Sequence, residues 1–215
     1  MPMSDPRAVL ITGCSSGIGR ATAARLARTG DHVVYATARR LEAIADLERD
    51  GCRLLSLDVT DEASRAAAVE AVQREHGRVS VLVNNAGYGE YGTVEEVPLA
   101  RIRAEFETNV FGLARMCQLV LPAMRAAGQG RIVNVSSMGG RLTFPASGYY
   151  HASKYAVEAI SDALRYEVRP FGISVSVVEP GLIRTRFVTT AAQTLGASSD
   201  AERHAEVQHG VESEP

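Results

Sequence analysis

Thr12-Gly13-Cys14-Ser15-Ser16-Gly17-Ile18-Gly19 is the stretch that decides how this chain is read. An apolar run over 7–12 leads straight into it, and helical spacing over 20–28 follows. Strand, glycine turn and helix in that order make an anion site. Glycine allows a tight turn and a close backbone approach to a pyrophosphate, and the helix N-terminus offers free N–H groups at the positive end of its dipole. The spacing is G-x-x-x-G-x-G, not the commoner G-x-G-x-x-G, so position at the end of a first strand carries the reading more than the glycines do. The bland alternative is a turn that only packs helix on strand. A sharper rival is the G-x-S-x-G elbow of a hydrolase, with Ser15 as nucleophile. That rival needs an earlier strand for its oxyanion loop and a histidine late in the chain. Only 12 residues precede Gly13, and the late histidines, His204 and His209, stand in a polar stretch.

Working outward, five more short β-branched runs follow at 32–37, 53–57, 79–83, 131–135 and 172–178. Most lack clean alternation, as expected of strands buried on both faces. Helical spacing lies between them, so the pattern predicts a parallel, doubly wound α/β sheet in three layers. Two long helices are expected. Over 99–124 the apolar stripe Leu99, Ile102, Phe106, Leu113, Cys117, Val120 and Met124 is interrupted by Asn109, an amide that needs partners if buried. Over 149–170 one face carries Tyr150, Lys154, Val157, Ser161, Leu164 and Val168, and another carries Ala152, Ala156, Ala159 and Ala163. Pro170-Phe171-Gly172 is expected to stop that helix. The alanine face suggests helix pairing between subunits, hence a homodimer or homotetramer. We read 1–195 as one dinucleotide-binding domain and 196–215, which is small, polar and charged, as a tail or incomplete substrate lid.

Composition narrows the function. Twenty-three basic against 25 acidic residues leave a formal charge of −2, which argues against the clustered basic surface of a nucleic-acid binder. No apolar run reaches the length of a membrane span, and no signal core precedes Arg7. Three scattered cysteines, Cys14, Cys52 and Cys117, exclude a disulfide framework and suggest a reducing compartment. The expectation is a cytoplasmic protein without membrane or nucleic-acid partners. The five histidines show no ligand spacing, so no metal site is expected.

The strand ends then supply chemistry. The second ends in Thr37-Ala38-Arg39-Arg40, with no acid to hold the ribose hydroxyls of NAD and an arginine suited to the 2′-phosphate of NADP. NADP is therefore the favoured cofactor and NAD the alternative, unless Arg39 merely pairs with Glu42. Asp58, followed by Val59, is placed to accept from an adenine amino group, or to cap the next turn. Asn84-Asn85-Ala86-Gly87 is small enough to let a flat ring pass, and its amides can tie strand ends together. The fifth strand ends at Ser136-Ser137, and Tyr150 and Lys154 share a helix face at i and i+4. At about 4 Å and an effective dielectric near 20 the ammonium is expected to favour the phenolate by about 4 kcal/mol. That would lower the phenol's pKa by up to about 3 units, bringing a general acid/base close to neutrality.

Taken together these motifs resemble the classical short-chain dehydrogenase/reductase (SDR) family over about residues 7–187. The resemblance implies a Rossmann fold and an NADP-preferring oxidoreductase that moves a hydride between a nicotinamide and a secondary alcohol or ketone. It implies a catalytic tetrad of Asn109, Ser137, Tyr150 and Lys154. Tyr150 would exchange the proton, Ser137 would bond the substrate oxygen, Lys154 would also grip the nicotinamide ribose, and Asn109 would hold a relay water. It implies cofactor contacts from Gly13, Ser15, Ser16, Gly17, Ile18, Gly19, Arg39, Asp58, Val59, Asn85, Ala86, Gly87, Tyr150 and Lys154. The segment Pro180-Gly181-Leu182-Ile183-Arg184-Thr185 resembles the family's P-G-x-x-x-T, with Pro180, Gly181, Ile183 and Thr185 at the nicotinamide end. The departure is after Gly181, where the chain reads as lacking the usual seventh strand, and this keeps open a non-catalytic nucleotide-binding module. Tyr88, Tyr91, Met138, Leu142, Tyr149 and Leu182 flank the motifs and suggest a partly apolar pocket for a bulky carbonyl substrate, steroid- or retinoid-like.

Overall fold

The computed structural model describes residues 7–181 and Ile183. The six apolar runs are six strands: β1 (Arg7–Ile11), β2 (His32–Ala38), β3 (Arg53–Ser56), β4 (Val81–Asn84), β5 (Gly130–Val135) and β6 (Ile173–Val178). All pair in parallel, in the order β3-β2-β1-β4-β5-β6. The order reverses between β1 and β4, which opens a crevice at the carboxyl edge there.

Both faces of the central strands β1, β2 and β4 are covered, and their alternate residues serve alternate layers, while the edge strands β3 and β6 are partly exposed. Ala8 and Leu10 face one core, with Val69 and Val72 of α2 (Glu62–His76), Met116 and Val120 of α4 (Leu113–Ala126), and Val157 and Leu164 of α5 (Gly148–Val168). Val9 and Ile11 face the other, with Ala23 of α1 (Gly17–Thr29) and with Ile44 and Leu47 of a 3₁₀ stretch, Leu41–Asp50. Each fully buried aliphatic side chain contributes roughly 1.5–3 kcal/mol, which is why the runs are continuous rather than alternating. The expected doubly wound, three-layer Rossmann architecture is thus present.

The long helix expected over 99–124 is broken. It runs as α3 (Leu99–Phe106), a wide π turn over Glu107–Gly112, and then α4. The π turn inserts a residue into the helical repeat and turns Asn109 inward. Two further departures sit in the same stretch. Leu99, read as the head of the apolar stripe, is exposed, whereas Glu105 is fully buried. The stripe of α5 is buried throughout, and Gly172 at φ 70 ends the 3₁₀ turn that follows it. The expected tail over 196–215, the question of a seventh strand, Leu182, Thr185, His204 and His209 all lie outside the described residues.

Candidate active site

Strand ends and helix starts position the site. Thr12 accepts at Oγ1 from the backbone N–H groups of Asn85 and Ala86, each at 2.9 Å. The Asn85 amide donates back to the carbonyls of Thr12 (2.9 Å) and Gly13 (3.0 Å). The ends of β1 and β4 are thereby tied, as the amides after β4 suggested. Glycine is required at two places. A Cβ on Gly13, whose φ is 73, would stand 2.7 Å from Ala86 Cα. One on Gly19 would collide with the Asn85 amide and stand 2.7 Å from Gly13 O. Ser16 precedes α1 without a side-chain cap, and the first turn holds no acid, so the first N–H groups of the helix are available to an anion.

These residues open into one cavity of about 1250 Å³. Its walls include Gly13, Ser15, Ser16, Gly17, Ile18, Arg39, Asp58, Val59, Asn85, Ala86, Gly87, Ser137, Tyr150, Lys154, Pro180, Gly181 and Ile183. Gly19 and Asn109 stand behind that wall, both buried. Arg39 is exposed at the end of β2 and forms no ion pair with Glu42 among the described residues. Asp58 accepts from Thr60 N–H (2.9 Å) and Thr60 Oγ1 (2.7 Å), while Asp61 caps α2 through Ser64 N–H. Burial opposes ionisation of Asp58, but the Thr60 bonds and the charges of Arg39 and Arg65 hold its pKa below the ordinary value. The walls suit a dinucleotide: an uncapped helix end for phosphate, a glycine turn, and a cation rather than an acid at the end of β2.

At the other end of the cavity stand Ser137, Tyr150 and Lys154. Ser137 follows β5 and accepts from Gly139 N–H at 3.0 Å, which fixes its oxygen beside the Tyr150 phenol it bonds. Lys154 is buried, donates to Val135 O at 3.0 Å, and lies 5.9 Å from the Tyr150 ring centroid. The expected acidification of the phenol is not found. Burial raises the Tyr150 pKa, the Ser137 bond lowers it, and the Glu105 charge raises it, for a net rise. The ammonium donates to a carbonyl, and desolvation of the phenolate is the largest influence on the phenol. Burial pulls Lys154 itself down to about 8, with Glu105 and Glu158 holding it up.

Asn109 donates to Tyr88 O (2.8 Å) and Ser153 Oγ (3.0 Å) and accepts from Tyr88 N–H (3.0 Å). Both amide hydrogens are therefore committed to protein. Of the expected pocket residues Tyr88, Tyr91 and Met138 line the cavity, and Leu142 and Tyr149 do not. Three residues near the site were missed in the sequence. Glu105 accepts from Glu90 N–H at 3.0 Å behind the 88–91 loop. Phe144 and His151 form part of the cavity wall. Phe144 reaches the wall by the path of its loop, while Glu105 and His151 stand on α3 and α5 and find their partners on loops, which no spacing signals.

A parallel sheet with a glycine turn, an arginine after β2 and a Ser–Tyr–Lys cluster on one rim defines a dinucleotide-binding protein of the oxidoreductase type. The profile of the short chain dehydrogenase family matches residues 7–196, and the chain belongs to that family. It is 45% identical over 184 residues to a 3-ketodihydrosphingosine reductase of Bacteroides thetaiotaomicron, a match covering 85% of this chain and 66% of that protein. The chain thus spans about two thirds of that relative's length. Among solved structures, a short-chain dehydrogenase from Streptomyces avermitilis is 38% identical with a TM-score of 0.80, covering 97% of this chain and 85% of the other. ElxO with NADP bound is 30% identical with a TM-score of 0.81, covering 91% and 82%. The hydrolase reading of Ser15 is overturned by this membership.

Proposed function

We infer that this protein is an NADP-preferring reductase or dehydrogenase acting on a bulky, apolar ketone or secondary alcohol. The observation that carries the reading is the shared cleft, which runs from the uncapped start of α1 past Arg39 to Tyr150. A nicotinamide cofactor, when bound, supplies or accepts the hydride. The chain's own residues do the rest. The first turn of α1 and the glycine turn would hold the cofactor's diphosphate, and Arg39 would take the 2′-phosphate in a charge-assisted contact. Ser137 orients the substrate oxygen. In the reducing direction Tyr150 would give its phenolic proton to that oxygen, completing the change of a carbonyl into an alcohol. Burial moves the phenol's pKa upward, away from neutrality, which favours the protonated form that the donor role needs. The Lys154 ammonium stabilises the phenolate left behind and grips the nicotinamide ribose. Asn109 holds the Tyr88 backbone against α5, and a relayed water meets its side chain only as an acceptor.

The substrate class is supported by apolar wall residues, Tyr91, Met138, Phe144 and Pro145, and by the keto substrate in the name of the Bacteroides relative. A homo-oligomer is supported by the exposed alanines of α5, Ala152, Ala159 and Ala163, and by Tyr155 on the same helix and Phe111 of the π turn, large apolar side chains left 45% and 54% exposed. No helix among the described residues is long and apolar enough to cross a membrane. The reading is tested by following reduced-nicotinamide absorbance with NADPH and NADH across a ketone panel. NADPH should be consumed fastest with long-chain or polycyclic ketones. Turnover with NADH at the lower KM would refute the cofactor preference, and no turnover with any carbonyl would refute the activity.

A further inference from the structure

Between β5 and α5 the chain crosses the substrate end of the cleft, and one side chain outside the proposed mechanism holds it there. His151 follows Tyr150 on α5 and is 4% exposed. Its Nδ1 lies 2.9 Å from Gly139 O, an acceptor only, so Nδ1 carries the hydrogen. Its Nε2 receives the Phe144 backbone N–H at 3.1 Å, so Nε2 is the bare nitrogen. One neutral tautomer satisfies both ends. Ser147 Oγ stands 3.0 Å from Nε2 and donates toward the carbonyls of Phe144 (3.0 Å) and Pro145 (3.1 Å).

The segment bridged in this way is strained and closely packed. Ala146 adopts φ 57, a left-handed conformation that costs a residue with a Cβ. A Cβ on Gly139 would stand 2.5 Å from His151 Nδ1, so the imidazole fits there because that residue is glycine. The Phe144 ring rests on the imidazole, with centroids 5.6 Å apart and planes tilted by 59°. Phe144, Pro145, Ala146 and Ser147 all line the cleft beside Tyr150, and Phe144 is 43% exposed. A large apolar ring is thus held half open on the wall of the cavity that takes the substrate.

We propose that His151 is a positioning residue for substrate selection. By bonding Gly139 and Phe144 together it fixes the 144–147 wall and sets the Phe144 ring as the rest for the apolar part of a carbonyl substrate. The proposal rests on the reductase reading and adds the element that chooses among ketones.

The test compares wild type with His151→Leu, His151→Gln and Phe144→Ala, using NADPH with 2-undecanone and with cyclohexanone. His151→Leu removes both nitrogens and should raise KM for 2-undecanone about tenfold, with a smaller fall in kcat and no change in NADPH affinity. Selectivity for the long ketone over the small one should fall by the same factor. His151→Gln keeps an acceptor for the Phe144 N–H and should recover most of it. Phe144→Ala, at a half-exposed position with little folding risk, should lose the same selectivity. Hydrogen exchange at the Phe144 amide should quicken at least about tenfold in His151→Leu and stay slow in His151→Gln. Unchanged exchange at that amide refutes the clamp. Equal losses for both ketones, or unchanged selectivity in Phe144→Ala, refute the role in substrate choice. A wild type inert to every carbonyl refutes the reductase reading, and the substrate role with it, while the exchange result still decides the clamp separately.

Discussion

Glu105→Gln should stabilise this protein, and the gain should depend on pH. The Glu105 side chain is 0% exposed. One carboxyl oxygen accepts from Glu90 N–H at 3.0 Å, and the other has no hydrogen-bond partner among the described residues. Burial pushes its pKa up to about 7 from the ordinary 4.5, the Glu90 N–H pulls it down, the Glu90 charge raises it, and the Lys154 charge lowers it. Between these two pH values the folded protein holds a proton that the unfolded chain has released. Stability therefore falls as pH rises from about 4.5 to about 7, and the whole penalty is present above 7. At about 1.4 kcal/mol per pH unit the penalty is about 3 kcal/mol. Glutamine keeps the acceptor for Glu90 and cannot ionise. Its advantage over wild type should be small near pH 5 and approach, but not exceed, about 3 kcal/mol at pH 8, less the desolvation of its amide. Urea unfolding of both proteins at pH 5, 6, 7 and 8 gives the difference, because titrating groups that do not feel the Glu105 charge cancel, and the interval from pH 5 to 7 stays below the Lys154 titration near 8. A difference that is flat with pH, or largest at pH 5, would show that Glu105 is not a buried carboxyl of raised pKa.

Other outcomes follow from the same geometry. Arg39→Ser removes the cation at the end of β2, and loss of a charge-assisted bond of about 1.5–3 kcal/mol should raise KM for NADPH roughly 10- to 100-fold while leaving that for NADH nearly unchanged. Because Lys154 loses its proton near pH 8 in the free protein, kcat/KM for ketone reduction should decline above that pH. Lys154→Arg keeps its charge and should move the decline upward, and a limb that stays put assigns it to another group. Gly19→Ala drives a Cβ into Asn85 and the Gly13 carbonyl, so it should cost about 1–3 kcal/mol in unfolding experiments and weaken NADPH binding. An unchanged midpoint would mean the turn relaxes freely.

Much of this is legible in the sequence, and the reasons are local. Buried parallel strands must be continuous apolar runs, so all six were visible. Their carboxyl ends carry the ligand edge, so Gly13, Arg39, Asn85 and Ser137 could be placed from order alone, and Tyr150 and Lys154 from helical periodicity. The π turn at Glu107–Gly112 was hidden, because one inserted residue shifts the helical repeat without changing composition. Glu105 and His151 were hidden for a different reason. Their partners, Glu90, Gly139 and Phe144, lie on loops whose paths no periodicity sets. The rise of the phenol's pKa is not legible because the sequence gives the i, i+4 neighbour but not the burial of the ring or the Glu105 charge, which together raise it.

Tyr150→Phe examines the central idea most directly, because it deletes one oxygen and little volume. NADPH affinity by fluorescence titration and single-turnover ketone reduction should be measured on the same preparations. If the phenol is the proton donor beside a bound nicotinamide, affinity should stay within about threefold while the reduction rate falls at least about a hundredfold. A variant that reduces ketones at the wild-type rate would contradict the account.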